Sequence, residues 1–249
     1  MPAVAIHTEI CEVQMTSTRF RWQWAAAGLS GLIATTAVLG ISIAPAQAHH
    51  PFGGELPATA VQGLLSGFGH PVIGVDHLVF TVSIGAIALG CSCNRHGSTS
   101  ESTSAPATGW LAIVAFLTAA VAGTFVHLQE WDLPAPELAI SGSVLLLGFL
   151  LLTRKTYPTA MLALVAASAG LFHGFAYGEA VVGAEPTPIA AYLFGFTAIQ
   201  AAIAVMSGLV LRRIQRHAAL RPAGFPAAVA LGGIVAGVGM TFLLETVLA

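Results

Sequence analysis

The chain has 249 residues, 56% of them hydrophobic and 8% charged, with a net charge of −2. A soluble domain carries roughly 25% charged residues, so this chain has too few charges to cover a water-facing surface. A mean hydropathy of +0.82 points to lipid as its solvent. The charge balance excludes a basic field for nucleic acid, and Cys11, Cys91 and Cys93 do not make a disulfide framework.

The chain opens on a targeting segment. Arg19 and Arg21 precede an apolar run from Trp24 to Ala44, followed by Pro45-Ala46-Gln47-Ala48. A basic region, an apolar core and an A-x-A site describe a secretory signal peptide, here residues 1–48. Cleavage after Ala48 leaves His49 as the new N-terminus. Met15, just before the basic region, is an alternative start. The competing reading is an uncleaved first helix, because the run approaches the ~20 residues needed to span a bilayer. Phe20 separates the two arginines, so there is no twin-arginine pair.

Six hydrophobic segments follow in residues 49–249, and the fold expected is all-α with six transmembrane helices. The segments are Ala58–Cys91, Gly109–Leu128, Glu137–Thr153, Pro158–Gly178, Pro188–Leu211 and Pro226–Leu248. The first is too long for one plain span and is interrupted by Gly67, Gly69, Pro71 and Gly74. It is expected to be a helix broken near Gly69–Gly74. Between the first two spans, Asn94–Thr108 is rich in Ser and Thr and reads as a flexible loop.

Positive charge orients the spans. Arg95 follows span 1, Arg154 and Lys155 follow span 3, and Arg212, Arg213, Arg216 and Arg221 follow span 5. The alternate loops hold Glu130, Asp132, Glu137, Glu179 and Glu185. The positive loops are therefore expected in the cytoplasm, with both ends of the mature chain outside an inner, cytoplasmic membrane. An exported signal predicts the same external N-terminus. Rows of glycine at four-residue spacing (Gly170, Gly174, Gly178; Gly63, Gly67; Gly233, Gly237) suit close helix packing in lipid.

Ionisable groups at membrane depth are functional candidates, because they are costly unless paired or hydrated. The first group is His70, Asp76 and His77, beside Pro71 and Gly74. On a continuous helix His70 and His77 would share a face about 10 Å apart, too far for one ion. A break can shorten that distance and release backbone carbonyls as further ligands. Neutral imidazole suits nickel, cobalt, copper or zinc, and a carboxylate offsets the cation or orients a histidine. The rival is a polar network that only locks helices together. The second group is His173, Tyr177 and Glu179, with His173 roughly level with His70. His127 ends span 2 and is a candidate at the entrance, as are His49 and His50 outside. Cys91, Cys93 and His96 at the other end of span 1 resemble a metal hand-off site.

The string His70-Pro71-Val72-Ile73-Gly74-Val75-Asp76-His77 reads HPxxGxDH. With Phe172-His173-Gly174 and the later Gly178 and Glu179, it resembles the HupE/UreJ family, membrane permeases for nickel or cobalt often linked to hydrogenase, urease or cobalamin metabolism. The resemblance implies a secondary permease whose cargo is Ni2+ or Co2+, with no permanently bound cofactor. It implies a metal path through His70, Asp76, His77, His173 and Glu179, and partners among metalloenzyme maturation proteins. Two departures stand out. Members often carry histidine where this chain has Tyr177, and they usually separate the glycine from the glutamate, which are adjacent here. No G-x-x-x-x-G-K-[ST] loop is present, so no ATP drive is expected. The alternatives are an intramembrane zinc-dependent hydrolase using the same His/Asp cluster, and a metal sensor or accessory factor.

Overall fold

The computed structural model describes Ala25 and residues 28–31, 55–90, 105–153, 155, 157–219 and 227–248. Cleavage after Ala48, the start at Met15, His49, His50, Cys91, Cys93 and His96 lie outside the described residues. Within the expected signal, residues 28–31 are helical, and the Ser30 hydroxyl donates to the Ala230 carbonyl at 3.1 Å.

All regular structure among the described residues is helical. The elements are α1 (Ala60–Ile73), α2 (Val75–Gly85) with a π-helical turn at Ala86–Gly90, α3 (Ala105–Leu128), α4 (Pro136–Thr153), α5 (Thr159–Gly178), α6 (Pro186–Ala219) and α7 (Ala227–Leu248). Five of these are long and apolar enough to cross a membrane, and the bent pair α1–α2 makes a sixth if it is one span. Large apolar side chains in mid-span, such as Leu164 and Phe194, are exposed, as a lipid-facing surface requires. The protein is a multi-pass membrane protein.

The expected broken helix is present, and its break is narrower than the sequence suggests. α1 runs through Gly69 and Pro71 and ends at Ile73, and α2 starts at Val75 after a bend of 79°. Pro71 falls in the last turn of α1, where the helix is already ending. Gly74 alone makes the corner. Its N–H donates to the His70 carbonyl at 3.0 Å and its carbonyl accepts from Leu78 N at 2.9 Å. These two carbonyls are thus already bonded within the chain. α1 begins on a capping box, Thr59 Oγ1 accepting from Gln62 N while Gln62 Oε1 accepts from Thr59 N.

Two other boundaries differ from expectation. Helix α3 begins at Ala105, inside the segment read as a loop to Thr108. Helix α6 continues eight residues past Leu211 to Ala219, because its arginines end the hydrophobic signal without ending helix propensity.

Glycines set which helices meet. Gly63 abuts Pro188, Gly67 abuts Tyr192, and Gly85 abuts Ala204, so α1–α2 and α6 run in the same direction. Gly170 meets Phe116, Gly174 meets Ala120 and Gly178 meets His127, which places α5 parallel to α3. Gly148 meets Ala236 while Gly239 meets Leu145, so α4 and α7 are antiparallel. These are the directions of a chain that crosses back and forth. A side chain at Gly174 would collide with backbone atoms of Ala120, so this row is a requirement for contact. Thr124 Oγ1 adds an interhelical bond to the Gly174 carbonyl at 2.8 Å.

Candidate metal-handling site

Two apolar clusters frame the site. One gathers Phe80, Ile84, Phe116, Val144, Leu147 and their neighbours; the other gathers Ala120, Tyr177, Val181, Tyr192 and Phe196. Between them lie His70 from the end of α1, His77 from the first turn of α2, and His173 from α5. All three are buried, His173 completely.

The corner at Gly74 brings the first two histidines together. Their ring centroids are 5.7 Å apart, against about 10 Å along a straight helix. His77 Nδ1 lies 2.7 Å from His173 Nδ1, and His173 Nε2 lies 3.1 Å from Ser143 Oγ. His70 Nδ1 lies 3.0 Å from the Tyr192 hydroxyl.

The network assigns the tautomers of neutral rings. The Ser143 hydroxyl donates to the Ile140 carbonyl at 2.6 Å, so its oxygen accepts from His173 Nε2–H. His173 Nδ1 then carries the lone pair and accepts from His77 Nδ1–H. The Tyr192 hydroxyl donates to the Tyr177 carbonyl at 2.9 Å, so it accepts from His70 Nδ1–H. Both His70 and His77 therefore hold their proton on Nδ1 and their lone pair on Nε2. A ligating histidine ordinarily donates its other N–H in this way, which fixes the ring and raises its basicity. Both nitrogens of His173 are engaged, which makes it the residue that orients His77.

Asp76 is half-buried. Its Oδ1 accepts from the His77 backbone N–H at 2.8 Å and lies 3.9 Å from His77 Nδ1. A carboxylate in the first turn of α2 also meets the positive end of that helix. Tyr177, where the resemblance leads one to expect histidine, is at the centre. Its ring stands 5.1 Å from His70 and 4.6 Å from His77, and its hydroxyl accepts from Gln200 Nε2 at 2.6 Å.

The other candidates lie apart from this cluster. Glu179 is the C-cap of α5, and its exposed side chain takes no part in these hydrogen bonds. His127, at the end of α3, packs on Phe175 with centroids 4.4 Å apart, and its buried Nδ1 has no hydrogen-bond partner among the described residues. Among the described residues no group of three or more His, Cys, Asp and Glu side chains is arranged to hold a metal ion.

Sequence reasoning missed Ser143, Tyr192 and Gln200. A signal existed for the last two: Tyr192, Phe196 and Gln200 recur at four-residue spacing, and both polar members interrupt an apolar run. Ser143 carries no such signal, since serine is common in membrane helices.

Comparison with known proteins adds the family. A family model described as "HupE / UreJ protein" matches residues 36–242. Protein HupE of Rhizobium leguminosarum bv. viciae is 30% identical over 185 residues, covering 73% of this chain and 85% of that protein. No solved structure matches significantly. On the extent of those two matches, the chain belongs to the HupE/UreJ family.

Proposed function

We propose that the protein is a secondary permease that imports nickel, or cobalt, across the cytoplasmic membrane, with His70 and His77 as the imidazole ligands of the cation in transit. The observation that carries this reading is the pairing of the two rings. Two buried imidazoles from either side of one corner stand 5.7 Å apart, each with Nδ1 held by a fixed partner. Association of the family with nickel and cobalt transport supports the choice of cargo.

In this reading Asp76 supplies the negative charge that lowers the cost of a divalent ion beside His77. His173 and Ser143 hold the His77 ring. Two imidazoles that, among the described residues, have no third His, Cys, Asp or Glu side chain arranged with them suit an ion that keeps some of its water or takes oxygen donors on the way. Conduction needs such a balance, since a site that binds too well does not release. His49, His50, His127 and Glu179 belong to the approach from outside, the side that the acidic loops and the signal peptide assign to both ends of the mature chain. A resident catalytic zinc, as a hydrolase would need, calls for three protein ligands, and no such group is arranged among the described residues.

The test is nickel accumulation at low external metal by cells expressing His70→Ala, His77→Ala or Asp76→Ala. Each variant should fall to the level of cells lacking the protein. Wild-type uptake by well-expressed variants would sink the assignment.

A further inference from the structure

Gln200 is unexplained by the histidine network. It is fully buried on α6, about two turns beyond Tyr192. One end of its amide donates to the Tyr177 hydroxyl. The other end, Oε1, is buried and has no partner among the described residues. Turning the amide over leaves Nε2 unmet instead, so the same end of the side chain goes unanswered in either orientation. Buried polar groups are nearly always hydrogen-bonded, and an exception calls for a reason. The bond to Tyr177 accounts for one end of the amide only; the other end carries a buried polar atom that this bond does not need.

The position supplies the reason. Gln200 holds the hydroxyl of Tyr177, whose ring lies against both His70 and His77. Donation through Nε2 turns the amide oxygen away from that bond, and a buried neutral oxygen one side chain removed from the two imidazoles is a group a cation can take.

We propose that the Gln200 amide oxygen contacts the divalent transition-metal cargo, as a neutral oxygen donor beyond the Tyr177 ring. This rests on the permease reading above. An uncharged oxygen adds affinity without trapping the ion, which suits a passage that must also release.

Purified protein in proteoliposomes, with initial Ni2+ uptake measured against concentration, tests the proposal. Gln200→Leu should raise KM for Ni2+ about tenfold, the scale of one lost contact to a charged group. Its thermal unfolding midpoint should shift little, because the loss of the bond to Tyr177 and the removal of the unmet amide end oppose each other. Gln200→Glu keeps the oxygen and adds charge, so KM should drop and the maximal rate should fall as release slows. An unchanged KM in Gln200→Leu overturns this inference while wild-type uptake leaves the permease reading standing. Absence of uptake by the wild type overturns the permease reading itself. Where the leucine variant is not recovered, an unchanged KM and maximal rate in Gln200→Glu overturns the inference equally.

Discussion

Gly74→Ala disturbs the shape of the site without opening a helix contact. The backbone there has φ −69° and ψ 104°, a region open to any L-residue, so alanine meets no backbone strain. Its added Cβ would stand 2.6 Å from His77 Cδ2 and 3.3 Å from Cγ. Carbon atoms rest at about 3.5–4.0 Å, so the ring must give way by about 1 Å. Such a shift carries the 2.7 Å bond between His77 Nδ1 and His173 Nδ1 beyond hydrogen-bonding range. Losing that bond and leaving a buried nitrogen unmet costs about 1–3 kcal/mol, or about 5- to 150-fold in the population of the oriented ring. The clash falls on a side chain that can rotate, so the helices need not separate. Nickel uptake in proteoliposomes should therefore drop by that factor, while the unfolding midpoint in detergent falls by about 2–12 °C and the protein stays folded. Full uptake by folded Gly74→Ala protein would refute the claim that His77 must be held where it is.

Three further substitutions probe the same framework. Tyr192→Phe removes the acceptor of His70 Nδ1–H and the donor to the Tyr177 carbonyl; uptake should fall about tenfold, and an unaltered uptake curve would show that His70 needs no such partner. Ser143→Ala takes away the acceptor of His173 Nε2–H and should lower stability by about 0.6–1.7 kcal/mol, the scale of interhelical bonds in membranes; chemical unfolding in mixed micelles measures it, and no change would mean His173 is not anchored through Ser143. Gly174→Ala drives a Cβ into the Ala120 backbone, which cannot rotate away, so the α3–α5 contact should open at a cost of about 1–3 kcal/mol. A thermal midpoint equal to wild type would contradict the close packing described.

Much of this architecture is legible in the sequence, because lipid imposes a simple rule. Runs of about 20 apolar residues are spans, and the ends of α4, α5 and α7 fall within a residue or so of the apolar runs that announce them. His70, Asp76, His77 and His173 are visible as ionisable groups where such groups are expensive. The exact corner was less legible. Four small or imino residues crowd the region, and the sequence alone does not say that Pro71 sits harmlessly in a closing turn while Gly74 makes the bend. Least legible were the partners. Ser143, Tyr192 and Gln200 act through neighbours on other helices, and which face of a span meets which neighbour is settled by glycine contacts far apart in the chain. Tyr177 shows the same limit: as a departure from a motif it looks like a lost ligand, whereas its ring touches both histidines.

Helix α6 has 34 residues, hence a length of about 51 Å, whereas the hydrocarbon layer measures about 30 Å. Some of it must stand clear of the lipid tails, and the turns bearing Arg212, Arg213, Arg216 and His217 are the part suited to do so. Arginines of this kind reach for headgroups and resist being drawn inward. They act as a depth stop. Because Gly63, Gly67 and Gly85 seat α1–α2 directly on α6, the level of His70 and His77 within the bilayer is inherited from that stop. The vertical position of His70 and His77 is thus set by charges at the far end of a neighbouring helix.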